Sequence, residues 1–258
     1  MIYADLTGYS DEGMAPYSAS VRQLNNDNAV NYASHIGQDQ WVVECYRGLR
    51  DGYFLEFGAF DGITTSNTIY LEQKLGWNGI CVEANPNYYK SVCANRSCVT
   101  VNCALWPESR ICMELEDAHG LSKLVAVESE GNTASLRASA TRGIVKVDTL
   151  NPVELLERYN APTEIHYMSL DIEGAELAVL EAFDFSRYCF GLASVEHNFE
   201  QPKRDAIRSI FKRHGYEVCE LRNDDLFYNI AVLHGLSGGQ CEHPEHMRNR
   251  VINSYVVK

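Results

Sequence analysis

The chain has 258 residues, 45% hydrophobic and 22% charged, which suits a folded domain with a full core and excludes intrinsic disorder. Its 22 basic against 35 acidic side chains leave a formal charge of −13, which disfavours general binding to nucleic acid or anionic membranes. No apolar run approaches the ~18 residues of a membrane span, and the opening Met1-Ile2-Tyr3-Ala4-Asp5-Leu6 does not read as a secretory signal. Nine scattered cysteines without a CxxC read as reduced thiols in a cytoplasmic compartment.

Residues 1–33 are polar and read as an N-terminal arm. From Tyr53 the pattern turns rhythmic. Tyr53 to Phe57 is a buried strand stopped by Gly58, and a glycine-punctuated loop leads to a helix over Ser66 to Leu75. Gly79 to Glu83 is a second strand, Asn87 to Ala94 a helix, and Val99 to Cys103 a third strand. The stretch 107–146 breaks the rhythm: short β-like runs at Ile111 to Leu115, Lys123 to Val127 and Ile144 to Val147 flank a turn at Glu130-Gly131-Asn132. This predicts a β-rich insert. Asn151-Pro152-Val153-Glu154 starts a helix, with Asn at the cap and Pro in the first turn.

Then follow His166 to Leu170 as strand, Ala175 to Phe183 as helix, Gly191 to Val195 as strand and Pro202 to His214 as helix. Tyr216 to Leu221 and Asn229 to Leu233 are the last expected strands. The alternation predicts a mostly parallel sheet covered on both faces. No internal repeat or low-complexity linker divides it. The expected organisation is an arm (1–33), one domain (34–235) and a C-terminal tail (236–258).

The chemistry concentrates at strand ends. Glu56-Phe57-Gly58-Ala59-Phe60-Asp61-Gly62 is a strand-to-helix turn whose glycines let backbone approach a ligand. Glu83 follows Gly62 by 21 residues and ends the next strand, where a carboxylate accepts both ribose hydroxyls of a nucleoside cofactor. Such a turn also serves simply to pack strand against helix. The motif is not GxGxxG, since Phe60 fills the middle glycine position, which turns the reading away from a dinucleotide.

These blocks resemble the FkbM-type methyltransferases: Tyr53 to Gly62, Ser66-Asn67-Thr68, Gly76 to Pro86, Ser169 to Glu176, and the upstream Ser34 to Gln40. The resemblance spans about residues 34–235. It implies a class I methyltransferase (Rossmann-like) α/β fold, a seven-stranded mixed sheet with helices on both faces, and O-methylation of a sugar or similar small acceptor by S-adenosylmethionine. It further implies a cofactor site at Glu56, Gly58, Ala59, Asp61, Gly62, Ser66, Asn67, Glu83, Ala84 and Asp171, with Glu56 and Gly58 beside the methionine part and Glu83 on the ribose. Asp148 falls in a matching block, while the insert and the tail match nothing in the family.

Asp171-Ile172-Glu173-Gly174-Ala175-Glu176 closes one buried strand and Glu196-His197-Asn198 the next. If those strands are neighbours, the two groups face each other across about 5 Å of sheet spacing. Asp171, Glu173 and His197 are the candidate catalytic residues. Two solutions for activating an acceptor hydroxyl stay open: His197 as general base, or Asp171, Glu196 and Asn198 holding Mg²⁺ or another hard divalent cation. Acids at 171 and 173 also suit the N-terminus of the following helix without any catalytic part.

Cys241, His243 and His246 lack a second ligand cluster and read as a solvated tail rather than a zinc site. Arg204, Arg208, Lys212 and Arg213 read as a solvated helix face, and Trp41, Trp77 and Trp106 as core or rim. The expected partner is a hydroxylated small molecule, with neither nucleic acid nor membrane. Three rivals remain: a dehydrogenase, a non-catalytic S-adenosylmethionine-binding module and an RNA 2′-hydroxyl methyltransferase.

Overall fold

A computed structural model describes residues 32–128 and 134–256. Most of the expected arm and the turn at Glu130-Gly131-Asn132 lie outside the described residues. In chain order the elements are α1 (Gln38–Cys45), β1 (Tyr53–Phe57), α2 (Ile69–Leu75), β2 (Asn78–Val82), α3 (Pro86–Asn95), β3 (Val99–Val101), β4 (Ala104–Leu105), β5 (Cys112–Asp117), β6 (Lys123–Leu124), α4 (Ala134–Ala140), β7 (Gly143–Leu150), α5 (Pro152–Arg158), β8 (Glu164–Leu170), α6 (Glu176–Glu181), β9 (Cys189–Glu196), α7 (Gln201–Arg213), β10 (Glu217–Leu221), β11 (Asp224–Tyr228), α8 (Ile230–Leu236) and α9 (Pro244–Val256).

Seven strands form the main sheet in the order β10-β11-β9-β8-β1-β2-β3. The pairs from β9 to β3 are parallel, whereas β11 runs antiparallel to both β9 and β10. Strand interiors alternate between two buried faces, as a sheet covered on both sides requires. Leu55, Phe57, Ile80, Met168 and Ala193 join one apolar core with Phe211 and Phe227. Phe54, Cys81, Tyr167 and Leu192 join the other with Trp41 and Trp77. Each fully buried apolar side chain of this kind stabilises the fold by roughly 1.5–3 kcal/mol.

The insert is a four-stranded sheet in the order β4-β7-β5-β6 together with the short helix α4, so it runs wider than 107–146. Asn151 caps α5 as its sequence predicts, its side chain accepting from Val153 N and Glu154 N at 2.8 and 3.2 Å.

Two expectations fail at the C-terminal end. Asn229 to Leu233 is not a strand: the Asn229 side chain accepts from Ala231 N and Val232 N and so starts α8. The last strand is β11, which carries Asp224 and Asp225, and its acids conceal it from any reading by hydrophobicity. The tail is not solvated either. Helix α9 buries Met247 and Val251, and Trp41 Nε1 donates to Pro244 O at 2.9 Å.

Candidate active site

The register sets the site. Phe57 stands opposite both Val82 and Leu170, and Leu170 stands opposite Val195. The residues one step further, Glu83, Gly58, Asp171 and Glu196, therefore line up at one edge of the sheet. Asp224 extends the row, since it pairs directly with Glu196. Strand order reverses between β1 and β8, so the row straddles the switch point where open α/β sheets bind ligands.

At the centre of the row the backbone of β1 nearly touches that of β8. Gly58 has φ +90°, and a Cβ there would lie 1.7 Å from the Asp171 carbonyl oxygen. Only glycine fits. Gly58 N and Ala59 N both donate to Val82 O at 3.0 Å, which turns the chain over the end of β2. Gly62 N closes the turn on Ala59 O at 2.7 Å. Asp61 folds the following loop by accepting from Ile63 N and Thr64 N at 2.9 and 2.7 Å.

Glu56 is engaged by the protein itself. It is buried, and its carboxylate accepts from Ser66 Oγ, Asn67 N, Thr68 Oγ1 and Arg96 Nη1 at 2.6–2.8 Å. Arg96 also donates from Nε to Glu72 at 2.6 Å. Glu56 and Ser66 thus hold the loop from below, and with that network satisfied they offer a ligand little. Asn67 is different. Its Nδ2 donates to Ser169 Oγ at 2.8 Å, but its Oδ1 is buried without a partner. An acceptor left over beside the glycine turn suits a cationic amine.

Glu83 is also buried. Its two oxygens accept from Phe60 N and Asn85 N, both at 2.7 Å. Burial pushes its carboxyl up to about 7, with those two N–H groups opposing the shift. Each oxygen keeps a lone pair, so the pair can still accept a vicinal diol. Ala84 stands beside it, its carbonyl accepting from Asn102 Nδ2 at 3.0 Å. The residues present therefore fit an adenosyl compound with an amino-acid tail: acceptors for ribose hydroxyls, a side-chain-free backbone at the centre, and an unpartnered carbonyl for the ammonium.

On the other side of Gly58 lies an acidic group. One oxygen from each of Asp171, Glu173 and Glu196 falls within 4.8 Å of the others. Burial raises Asp171 to about 6, Glu173 to about 8 and Asp224 to about 8; it also raises Glu196 well above the usual carboxylate range, with Asp171 adding to the last three. Arg137, from α4 of the insert, donates to Glu173 Oε2 at 2.6 Å with both side chains buried. Lys203 donates to Glu176 Oε2 at 3.2 Å. Phe60, Glu173, Asn198 and Phe199 all hold φ between +47° and +61°. Non-glycine residues pay for such angles, and these four cluster at the ends of β1, β8 and β9.

A cleft of about 850 Å³ opens against this group. Trp106, Val127 and Glu128 of the insert form one wall, Gly174 to Glu181 a second, and Asn198 to Lys203 a third. Phe199 is 57% exposed at its rim.

His197 does not reach this cleft as a base. Its Nδ1 accepts from Phe199 N at 3.0 Å, and its buried Nε2 lies 3.8 Å from Asp225. Burial, with Arg204 and Arg208 nearby, lowers its pKa. Those arginines are not a solvated face: both bind the buried Asp225 carboxylate, at 2.8 and 2.6 Å. Asp148 is exposed on β7, and of the tryptophans only Trp106 borders the cleft. Sequence reasoning missed Arg96, Arg137 and Asp224, since a buried charge is recognisable only once its partners are placed.

A family model described as the methyltransferase FkbM domain matches residues 56–218, more than half of the chain. No curated protein gives a significant match. Similar solved structures include a precorrin-6y C5,15-methyltransferase from Geobacter metallireducens GS-15, 13% identical over 74% of this chain and 84% of that one, with a TM-score of 0.41. Methyltransferase FkbM from Methylobacillus flagellatus KT is 12% identical over 73% of this chain and 47% of that one, with a TM-score of 0.45. Human methyltransferase-like protein 13, in complex with SAH, is 8% identical over 84% of this chain and 90% of that one, with a TM-score of 0.40. The matched stretch carries Gly58, Glu83, Asp171 and Glu196 alike on the seven-stranded α/β sheet, and the chain belongs to the FkbM family of methyltransferases.

Proposed function

We propose that the protein methylates a hydroxyl group of a sugar or similar small natural product bound in the cleft bordered by Trp106 and Phe199. The observation that carries this reading is the meeting of cleft and carboxylates: Gly174 and Asn198 line the cleft, and Asp171, Glu173 and Glu196 stand beside them. When bound, S-adenosylmethionine supplies an electrophilic methyl group on a sulfonium. Glu83 would hold the ribose hydroxyls, and Asn67 Oδ1 with the Gly58 turn would hold the amino-acid end.

The chain's own task is then to orient the acceptor and dispose of one proton. Trp106 and Phe199 offer apolar faces to an acceptor ring, and alignment of the two reactants provides most of the rate. Asp171, one step beyond β8, would take the hydroxyl proton, and Glu196 stands opposite it at the end of β9. With the proton on Asp171, the O–H electron pair would stay on the acceptor oxygen and form the new bond to the methyl group, the sulfonium's bonding pair returning to sulfur.

The test is transfer of labelled methyl from S-adenosylmethionine to a panel of free sugars and polyhydroxylated small molecules, with RNA as a competing acceptor. Label on a hydroxyl, lost by roughly 10²–10⁴-fold in Asp171→Asn, supports the reading. Label on RNA alone, or undiminished transfer in the variant, overturns it.

A further inference from the structure

We infer that Cys81 and Cys98 form a site of oxidative modification, which a hydroperoxide closes into a disulfide that loosens the loop between β1 and α2. Its effect on binding rests on the reading above, since that loop carries Asn67. Geometry comes first. The two Sγ atoms lie 3.6 Å apart, and a disulfide needs about 2.05 Å, so a closure of about 1.5 Å suffices. Cys81 is fixed inside β2, paired with Glu56 of β1 on one side and Thr100 of β3 on the other. Cys98 stands just before β3, outside the ladder, so it is the partner that moves.

The surroundings suit the chemistry. Cys98 is half-buried and within reach of a small oxidant, while Cys81 is buried. Cys98 Sγ donates to Cys81 Sγ, which donates to Glu56 Oε2 at 3.5 Å. The Arg96 guanidinium acts on both thiols, and a positive neighbour favours the thiolate. Burial, with Cys98 and Glu56 adding to it, pushes the Cys81 thiol well above its ordinary range, so Cys98 reacts first. Its sulfur takes one oxygen from the hydroperoxide, whose O–O bond breaks to leave water or an alcohol beside a sulfenic acid. Cys81 Sγ then attacks the Cys98 sulfur. The S–S bond forms as the S–O bond breaks, and the departing hydroxide leaves as water with the proton that Cys81 gives up. Two thiols are oxidised and one peroxide is reduced.

The link to the loop is direct. Ser97 N, Ser97 Oγ and Cys98 N all donate to Glu72 Oε1, at 2.6, 2.6 and 3.2 Å, and Arg96 bridges Glu72 and Glu56. Drawing Cys98 toward β2 shifts the segment that holds Glu56 and turns the Cys81 sulfur away from the same carboxylate. Glu56 in turn anchors Ser66, Asn67 N and Thr68. The modification therefore acts on the cofactor side of the row without touching a ligand.

The experiment uses the full chain with Cys93→Ser and Cys112→Ser, which removes the two exposed thiols. Reduced protein, freed of reductant, is treated with hydrogen peroxide, digested and read by mass spectrometry. A peptide pair joined through Cys81 and Cys98 is expected, and it should be absent when Cys98→Ser is added. Calorimetric titration of S-adenosylhomocysteine should show binding at least tenfold weaker after peroxide and restored by dithiothreitol. In Cys98→Ser, peroxide should leave that binding unchanged. Oxidised Cys98 with no link to Cys81 overturns the site, and a joined pair that keeps full affinity overturns its action on the loop. Reduced protein that binds no S-adenosylhomocysteine overturns the cofactor reading instead, and the joined peptides still decide whether the thiols pair.

Discussion

Gly58 and Glu83 show how single residues set the site. At Gly58 a side chain would meet the Asp171 carbonyl at 1.7 Å in a left-handed backbone. Gly58→Ala should therefore cost roughly 2–4 kcal/mol, combining backbone strain and overpacking. Gly48, also left-handed but with open space around it, provides the control and should cost about 1 kcal/mol. Urea unfolding of both variants measures this; equal losses would contradict the close approach. At Glu83 the carboxyl is raised from 4.5 to about 7 in the folded state, chiefly by burial, with Asp61 and Asp117 adding to it. The native state then holds its proton longer than the unfolded state. The penalty is absent below about pH 4.5 and complete above about 7, where it amounts to roughly 3 kcal/mol. The stability of wild type relative to Glu83→Gln should fall by that amount between about pH 4 and 8. A difference that stays constant with pH would show that Glu83 ionises normally. Both residues were legible in the sequence, because strand ends follow from short apolar runs and what stands there is simply read off. His197 was equally visible, but its orientation was not. Which way its ring turns depends on Phe199 N and Asp225, and neither contact leaves a trace in local spacing.

Among the elements, the loop between β1 and α2 depends on a buried ion network that no motif announces. Arg96 joins Glu56 on β1 to Glu72 on α2, each at 2.6 Å and almost without solvent. Arg96→Met should destabilise by roughly 3–5 kcal/mol, since it strands two buried carboxylates. Adding Glu56→Gln and Glu72→Gln should recover part of that loss, which denaturant unfolding of the single and triple variants can show; no recovery would mean that packing, not charge, governs the position. Helix α4 is the other unannounced element. It lies in the insert, whose β-like runs were readable while the helix was not, and it delivers Arg137 to Glu173. Strand β11 escaped for the opposite reason: Asp224 and Asp225 pair with Gln38 and with Arg204 and Arg208 from distant segments, so its polarity is satisfied only in the folded chain.

At the scale of the whole molecule, the parallel register brings four positions from distant parts of the chain into one row, the antiparallel β11 adds Asp224 as a fifth, and the insert walls a cleft against it. Alternating strands and helices made that sheet readable in advance, including its parallel centre. The order of the strands and the docking of α9 were not readable, because both are decided by contacts between remote segments. The account stands or falls on what fills the half of the row around Gly58 and Glu83. Calorimetric titration of S-adenosylhomocysteine and of NADH into the wild type and Glu83→Ala decides it. The prediction is that S-adenosylhomocysteine binds, NADH does not, and Glu83→Ala weakens the binding by roughly tenfold to a hundredfold through a lost charge-assisted hydrogen bond. Binding of NADH alone, or unchanged affinity in a folded Glu83→Ala protein, would contradict it.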